Sequence, residues 1–505
     1  MNKPRSIVPS LFLLFALLAI VTVVYTSPPD TPLPSIVIDG RFDDWTARLP
    51  TYTDPEGDNH PDGDNHPDGD NHPDGDNHPD GDSGKSGLDL LEIHLAHTTT
   101  HLLIHVKLNQ PVNLQTGRSL YFTLYTDDDP DPDLFYDFGN RAGAFKGRPV
   151  TQFDLGLVTL PTVSSDEFEI ALARDALPNG ALFPDNTLSL TLKDPAPTGG
   201  DTAPDQGTLS YTFTSPPESD LPPLSIEKSN PSQIRLITWN MLRDGMFDKD
   251  RAPVFQRILA TLQPDVIAFQ EVYNRTDKSV KNKLEEWLGG TWHTIKVGDL
   301  VTASRTPFLE DWTDTYQPLN VPHTFPVMLE VNGAKFILFN AHLSCCDADA
   351  ERQEQVDRVI AFLRDGQLGA HFTAYTPLLF AGDLNLVGDA QQLTTLLTGD
   401  IGDETQFGAD HLPDWDSTPL ADLTPRQTHT AFAYTWRDDR DTFPPGRLDY
   451  ILYTDSLFTS THSFIFFTEI LPPGLLTQYG LDPGDSLHAS DHFPVVVDFV
   501  LPRGE

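Results

Sequence analysis

Hydrophobic and polar positions follow different periods in the two halves of this chain. Between about residues 36 and 213, apolar residues alternate with polar ones or form short runs, as in LLEIHLAH, HLLIHVKL and TLSLTL. Segments rich in Asp, Pro and Gly separate these runs, and no convincing helical period is present. Short alternating runs between turn-rich segments are typical of strands. The pattern therefore predicts an all-β sandwich over residues 36–214.

The pattern changes at residue 234. Apolar runs such as IRLITWN, PDVIAFQEV, KFILFNAHL and PLLFAGDLN are predicted to be buried strands, and GRLDYILY and FPVVVDFV are two more. APVFQRILATL and residues 351–366 instead carry apolar residues at helical spacing. Strands that alternate with helices predict an α/β layered domain over residues 234–501.

Three further segments divide the chain. Lys3 and Arg5 precede an uncharged apolar run at residues 7–25, which is typical of an export signal. Residues 1–26 are either a cleaved signal peptide or an anchor, since the run is close to the length of a membrane span. Residues 27–35 and the proline-rich residues 215–233 are predicted linkers. The rest of the chain is therefore expected to be exported, as a secreted, periplasmic or membrane-anchored protein.

A perfect repeat interrupts the β domain. The unit D-N-H-P-D-G occurs four times within an Asp-rich loop at residues 54–84. The repeat offers nothing to pack into a core, so we expect a loop that was lengthened by copying, at small cost in stability. Three interpretations remain open: calcium binding by its Asp oxygens, a passive spacer, or transition-metal binding by its histidines, which are His60, His66, His72 and His78.

The opening of the β domain carries a resemblance. VIDGRFDDW, followed by DPEGD, is similar to the start of β-sandwich domains related to family 9 carbohydrate-binding modules. That resemblance implies Asp-rich calcium loops and contact with a glycan or a cell surface. A second acidic loop, YTDDDPDPD, supplies candidate Ca²⁺ ligands at Asp127, Asp129 and Asp131.

Charge and cysteine content narrow the range of partners. The 505 residues include 74 acidic and 33 basic ones, a formal net charge of −41. This excess repels polyanions and favours divalent cations as partners. The two cysteines, Cys345 and Cys346, are adjacent, so they form either a vicinal disulfide or two buried thiols and provide no disulfide framework.

Polar residues useful for phosphate or metal chemistry stand at or near the ends of the predicted strands of the second half. Because strand ends converge at one edge of a sheet, they predict a shared site. These residues are Asn240, Glu271, His342, Asp383, Asn385, Asp449, Asp491 and His492.

The phrases T-W-N, Q-E, A-H-L, G-D-L-N, R-L-D-Y and S-D-H-F-P, in this order, resemble the endonuclease/exonuclease/phosphatase superfamily. The resemblance implies a four-layer sandwich in which helices flank two packed sheets. It also implies Mg²⁺ or Mn²⁺, because a divalent cation offsets the charge of a phosphoester and polarises its oxygen. The implied metal residues are Asn240, Glu271 and Asp491.

The remaining motif residues receive catalytic roles. His492, oriented by Asp449, is one candidate for the base that deprotonates water, and Asp383 is the other. Asn385 would donate to a phosphate oxygen as charge builds. His342 would bind the phosphate or protonate the leaving oxygen.

We therefore expect an exported, divalent-metal-dependent phosphoesterase. Its substrate would be a phosphodiester, as for a nuclease or a sphingomyelinase-like phospholipase, or a phosphomonoester. The alternative is a non-catalytic glycan- or calcium-binding surface protein whose hydrolase scaffold is spent. The presence of every motif residue favours the enzyme.

Overall fold

The computed structural model describes residues 35–46, 48, 50–57, 87–115, 120–126, 131–177, 182–183, 186–196, 200–213, 221–313, 323–371, 373 and 376–500. The predicted leader, the D-N-H-P-D-G repeat, Asp127 and Asp129 lie outside these residues. Within the described part of the chain, no helix is both long enough and apolar enough to cross a membrane.

The described residues of the first half form two antiparallel sheets and a short helix. Its elements are β1 (Tyr52–Thr53), β2 (Leu90–His97), β3 (His101–Val112), β4 (Tyr121–Tyr125), β5 (Leu134–Asp137), β6 (Ala142–Phe145), β7 (Arg148–Val150), α1 (Gln152–Leu155), β8 (Val158–Leu160), β9 (Ser165–Ala173), β10 (Thr187–Lys193), β11 (Thr202–Ala203) and β12 (Leu209–Thr212).

One sheet has the order β1-β2-β3-β9-β8, and the other has the order β11-β10-β4-β5-β6-β7, with β12 also paired to β10. Alternation along the strands explains the core between them. In β4, Phe122 and Leu124 are buried while their neighbours are half-buried. They meet residues such as Ile104 and Phe168 in one apolar cluster.

The second half holds the remaining strands and helices. The strands are β13 (Ile234–Asn240), β14 (Val266–Gln270), β15 (His293–Val297), β16 (Leu300–Ser304), β17 (Phe308–Asp311), β18 (Thr324–Val331), β19 (Ala334–His342), β20 (Leu378–Asp383), β21 (Ala421–Asp422), β22 (Asp449–Tyr453), β23 (Thr459–Ile465) and β24 (Val495–Val500). The helices are α2 (Ala252–Leu262), α3 (Asp277–Leu288), α4 (Asp349–Arg364), α5 (Gln391–Thr398), α6 (Glu404–Phe407), α7 (Pro473–Tyr479) and α8 (Asp485–Ala489).

These strands form two mixed sheets with the orders β15-β16-β14-β13-β24-β23 and β17-β18-β19-β20-β22-β21. Each sheet contains one parallel pair, β13 with β14 and β19 with β20. Helices α2 and α4 make the two crossovers that parallel pairing requires.

Side-chain alternation builds the layers. In β13, Leu236 faces a core shared with the other sheet, whereas Ile237 faces the core under α2. In β19, Leu338 faces the shared core and Phe339 faces the core under α4. Two sheets therefore pack face to face, with helices on their outer faces.

The β domain is joined to the second domain by more than the chain connection. The backbone of Ile38 forms a bridge with Phe432, with hydrogen bonds of 2.8 Å to Ala431 and 3.0 Å from Ala433. Ile38 and Trp45 belong to the same apolar cluster as the shared core of the two mixed sheets. The two halves of the protein thus bury part of their apolar surface together.

For two segments the structure shows what they pack against, which their sequence did not determine. The described part of the predicted second linker lies against the second domain, where Ile226 is buried and the N–H of Leu224 donates to the carbonyl of Thr428. The apolar segment at residues 462–476 reads as either a membrane-contacting hairpin or a core strand. Its residues Phe464 and Phe466 are fully buried, so this part of the segment belongs to the core, whereas residues 472–474 are exposed.

Candidate active site

Strand register brings the predicted residues to one edge of the two mixed sheets. His342 is paired with Asp383 across β19 and β20, and Asp383 is paired with Asp449 across β20 and β22. Asn240 ends β13 in the other sheet, and Glu271 directly follows β14. Both sheets therefore contribute to a common site.

The carboxylate of Asp383 lies at the centre of this site. Its Oδ2 atom accepts a hydrogen bond of 2.9 Å from the amide nitrogen of Asn240. The Nε2 atoms of His342 and His492 lie 3.7 Å and 3.6 Å from the same oxygen. Asp383 is only 1% exposed, so one buried carboxylate oxygen faces two imidazoles and an amide.

His492 and Asp449 form the first of two His–Asp pairs. The Nδ1–H of His492 donates to Asp449 Oδ2 at 2.8 Å, which leaves Nε2 directed at Asp383. Burial alone would lower the pKa of His492, but the charges of Asp449, Asp383 and Asp491 raise it to about 10. The backbone N–H of Asp449 is fixed by the hydroxyl of Thr435 at 2.9 Å.

His342 and Asp299 form the second pair, which was not predicted. The Nδ1–H of His342 donates to Asp299 Oδ2 at 2.6 Å. Against the effect of burial, Asp299 and the charges of Asp383 and Glu271 raise the pKa of His342 to about 9. Asp299 follows Gly298 in the tight turn between β15 and β16, so the sequence there indicates only a hairpin.

Asn240 and Glu271 meet beside Asp383. The amide nitrogen of Asn240 donates to Glu271 at 3.2 Å, while its oxygen accepts from the N–H of Leu242 at 2.9 Å. In this arrangement the nitrogen of Asn240 faces the carboxylates of Glu271 and Asp383, and its role as a metal ligand stays a prediction. Glu271 has a φ of 62°, a conformation that is strained for a residue other than glycine. Such strain persists where the surrounding structure fixes the residue.

Asn385 and Asp491 complete the predicted set. The backbone N–H of Asn385 donates to Asp383 at 3.0 Å, and its side-chain nitrogen donates to the carbonyl of Leu343 at 3.0 Å. Asp491 is half-buried and accepts from the indole N–H of Trp436 at 3.3 Å. Trp436 was not predicted as a site residue, because a tryptophan in an α/β domain more often fills the core.

The donor set suits a hard divalent cation. Glu271 and Asp491 are half-buried carboxylates at the rim, and buried Asp449 has one oxygen, Oδ1, without a hydrogen-bond partner among the described residues. Ligand atoms of Asp383, Asp449 and His492 also lie within 4.8 Å of one another. Because His492 and Asp449 already bind each other and Mg²⁺ prefers oxygen, Glu271 and Asp491 are the better candidates to hold it.

The β domain contacts the loop that follows Asp383. The hydroxyl of Thr162 donates to the carbonyl of Leu386 at 2.7 Å, and the N–H of Ser164 donates to Gly388 at 2.7 Å. Next to the site, Cys345 and Cys346 form a disulfide, one of the two states predicted for them. The hydrogen bonds restrict the backbone that follows β20, and the disulfide restricts the backbone that follows β19.

The candidate calcium residues of the second acidic loop are only partly described. Of that set, only Asp131 is described, and it is exposed in the β domain. A different acidic group in the same domain brings the carboxylates of Asp54, Asp201 and Asp205 within 4.8 Å of one another. The calcium assignment of the second acidic loop therefore stays a prediction.

Comparison with known proteins identifies a family. The sequence profile of the Endonuclease/Exonuclease/phosphatase family matches residues 237–492, slightly more than half of the chain. A search of curated protein sequences finds no match. Similar solved structures include TDP2 from D. rerio complexed with single strand DNA product, which is 19% identical over 53% of this chain and 99% of that chain, with a TM-score of 0.36.

Two further solved structures are also similar to part of this chain. The human Nocturnin catalytic domain with bound sulfate anion is 17% identical over 56% of this chain and 96% of its own, with a TM-score of 0.34. ANGEL2, a 2',3'-cyclic phosphatase, is 14% identical over 53% of this chain and 95% of its own, with a TM-score of 0.38.

Proposed function

We propose, from the premise that this chain belongs to the endonuclease/exonuclease/phosphatase family, that it hydrolyses a phosphodiester with the help of a divalent cation. Membership makes the chain a phosphoric ester hydrolase. The proposed hydrolysis rests on one observation: Asn240, His342 and His492 converge on a single oxygen of Asp383. This arrangement places a general base between two groups that can carry positive charge.

Asp383 is the group that we assign to the attacking water. A carboxylate held by Asn240 and by the N–H of Asn385 can accept a proton from a water molecule that it also orients. The raised pKa of His492 disfavours the alternative role of base for that histidine, because an imidazole that is already protonated cannot take a further proton.

The two histidines then act as a proton donor and as a positively charged group that stabilises negative charge. Both imidazoles are protonated near neutral pH, since three carboxylates raise the pKa of His492 and Asp299 holds the proton on His342. Their Nε2–H groups face the space beside Asp383, where phosphate oxygens would lie. One of them can protonate the leaving oxygen while the other stabilises the charge that develops on phosphorus oxygens.

Glu271 and Asp491 are the residues that we assign to Mg²⁺ or Mn²⁺. When bound, the cation would offset the phosphate charge and polarise a phosphoryl oxygen. Asn240 and the N–H of Arg243, which donates to Glu271 at 2.8 Å, hold the Glu271 carboxylate in a fixed orientation. A preorganised oxygen donor of this kind fits the strict geometry of Mg²⁺.

The substrate that we propose is a compact diester and not long nucleic acid. A chain with a net charge of −41 repels a polyanion, whereas a single diester group carries one negative charge. Phospholipid headgroups and short nucleotides both fit this description. A phosphomonoester is the second candidate, because the two raised histidine pKa values also suit a dianion.

The decisive experiment is an assay of the purified chain on bis-p-nitrophenyl phosphate and on p-nitrophenyl phosphate. We expect faster hydrolysis of the diester in Mg²⁺ or Mn²⁺ and loss of activity in chelator. Asp383→Asn serves as the inactive control. A folded wild-type protein that cleaves neither ester under any of these conditions contradicts the proposal and favours a binding protein with a spent scaffold. A panel of sphingomyelin, dinucleotides and DNA then identifies the substrate class.

Export through residues 1–26 is a separate proposal. It is supported by the positive residues before an uncharged apolar run. Fractionation of cells that produce the full chain, with mass spectrometry of its N-terminus, distinguishes a cleaved leader from an anchor. Full-length protein retained in the cytoplasm contradicts export.

A further inference from the structure

A buried acidic residue lies far from the site described above. Asp414 stands in the loop between α6 and β21 and is only 3% exposed. Both of its carboxylate oxygens lack a hydrogen bond of normal geometry. The backbone N–H groups of Trp415 and Asp416 face the carboxylate and favour its charged form, but neither has the distance and angle of a hydrogen bond. A buried carboxylate in this condition costs free energy unless another group compensates its charge.

The neighbours of Asp414 increase that cost. Asp416 and Asp455 each place a carboxylate oxygen within 4.8 Å of an oxygen of Asp414 and of each other. Among the described residues, no Lys, Arg or His nitrogen forms an ion pair with any of the three within 4.0 Å. Burial and the charge of Asp416 raise the pKa of Asp414 to about 6, which expresses the same repulsion.

The surrounding residues restrict the carboxylates of this acidic group. One oxygen of Asp416 accepts hydrogen bonds of 3.0 Å from the N–H and 2.6 Å from the hydroxyl of Thr418, which orient that carboxylate. Asp414 is fixed by burial, and Asp455 follows the end of β22 at the surface. Three carboxylates from two separate chain segments thus converge on one point.

This point is distinct from the active site. Asp449, at the start of β22, belongs to the active site, whereas Asp455 lies beyond the other end of the same strand. Six residues of extended chain span about 20 Å. A ligand at the second point would not touch groups that handle the phosphoester.

We propose that Asp414, Asp416 and Asp455 bind a structural divalent cation, for which Ca²⁺ is the best fit. The ligands are all hard carboxylate oxygens, and Ca²⁺ accepts the irregular geometry of a loop, with waters and carbonyls completing its shell. Mg²⁺ fits less well because it demands near-ideal octahedral geometry. The ion would tie the loop before β21 to the end of β22 and compensate the buried charge of Asp414.

The test counts bound Ca²⁺ by equilibrium dialysis of the full-length chain after chelator treatment. Asp455→Asn removes one ligand at an exposed position, so it leaves the fold intact. Asp482→Asn is the matched control, since that side chain is also exposed, at 81%, and lies outside the group. We expect the wild type and Asp482→Asn to bind one more Ca²⁺ per chain than Asp455→Asn at the same free concentration. Equal numbers in all three proteins overturn the proposal.

A second measurement covers the buried ligand. Asp414→Asn removes the charge and keeps the shape, and we expect it to fold, to hydrolyse the diester in Mg²⁺, and to lose the same single Ca²⁺. Thermal unfolding should then show a smaller increase in Tm on Ca²⁺ addition for Asp414→Asn and Asp455→Asn than for Asp482→Asn. An identical Ca²⁺-induced increase in the three variants would also overturn the site.

Discussion

The two mixed sheets of the catalytic domain repeat one arrangement. In the first sheet, β13, α2 and β14 form a parallel pair with its crossover, with β24 antiparallel to β13 and β16 antiparallel to β14. In the second sheet, β19, α4 and β20 do the same, with β18 antiparallel to β19 and β22 antiparallel to β20. The fold therefore offers each functional position twice.

The acidic residues at the C-terminal ends of the second parallel strands differ in burial. Glu271 follows the second parallel strand of the first sheet and is half-buried, whereas Asp383 ends the equivalent strand of the second sheet and is buried. We infer that the first sheet supplies the cation's carboxylate and the second supplies the base. The C-terminal ends of the two equivalent strands thus serve two roles: Asp383 is the last residue of β20, whereas Glu271 comes one residue after the last residue of β14.

Both His–Asp pairs cross between the sheets. Asp299, before β16, binds His342 at the end of β19, and Asp449, at the start of β22, binds His492 just before β24. Each histidine is therefore oriented by a carboxylate of the opposite sheet. The site forms only when the two sheets are packed together, which couples catalytic geometry to the shared core.

The largest expected effect is that of Asp383→Asn. We expect kcat to fall by about 10³-fold or more, because the general base and the hydrogen-bond acceptor of Asn240 are lost together. Added Mg²⁺ should not restore the rate. Steady-state kinetics on the diester, with circular dichroism as the folding control, make the measurement. Retained activity would assign the base to another residue.

The next effect separates the two histidines. We expect His492→Ala and His342→Ala each to lower kcat by roughly 10²-fold, as expected for loss of a preorganised donor. Asp449→Asn should keep more activity than the histidine variants. As pH rises, however, its activity should begin to fall at a lower pH than that of wild type. Activity that requires protonated His492 falls as pH rises through its pKa of about 10, and this pKa drops when the charge of Asp449 is removed. An unchanged alkaline limb in Asp449→Asn would show that the proton on His492 is not needed.

Much of this site could be predicted from the sequence because its residues stand at the ends of apolar strands. Asn240, His342 and Asp383 each end an apolar strand, and strand ends meet at one edge, so their position along the chain predicts their position in space. Asp299 could not be found in this way, because a Gly–Asp pair between two strands is equally a common turn. Its function depends on His342, a contact 43 residues away in the chain.

The junction between the halves of the protein was equally hidden. The apolar residues Ile38 and Trp45 read as part of a self-contained sandwich, since sequence shows that a side chain is buried but not against which sheet. In the structure they join the core of the mixed sheets. The strands of two residues, such as β1 and β21, are too short to show a period at all.

A smaller effect tests the difference between Glu271 and Asp383. Glu271→Gln keeps the shape of the side chain and removes its charge, so we expect about a 10-fold increase in the Mg²⁺ concentration needed for half-maximal activity. Saturating Mg²⁺ should restore most of kcat, in contrast to Asp383→Asn. Titration of activity with Mg²⁺ in both variants provides the comparison. The same Mg²⁺ dependence as in wild type would remove Glu271 from the cation site.

The pair of His342 and Asp299 predicts a pH dependence of the free energy of unfolding. His342 has a raised pKa in the folded protein, so its contribution is fully present below pH 6.5 and is lost as pH rises through about 9. Asp299→Asn should remove on the order of 1 kcal/mol from the free energy of unfolding at neutral pH and flatten its slope between these values. Urea unfolding in chelator at several pH values measures both. A slope equal to that of wild type would show that Asp299 does not stabilise the protonated form of His342.

The smallest expected effect concerns the loop after Asp383, which the β domain holds. Thr162→Val removes the hydroxyl that donates to Leu386 and keeps the volume, so the buried carbonyl loses a hydrogen bond of about 1 kcal/mol. We expect kcat to fall roughly 3- to 10-fold with little change in KM, because Asn385 and Asp383 shift relative to the substrate while its binding contacts remain. Thr162→Ser retains the hydroxyl and should behave as wild type. Equal kcat in the Val and Ser variants would show that the β domain supports the fold without tuning the site.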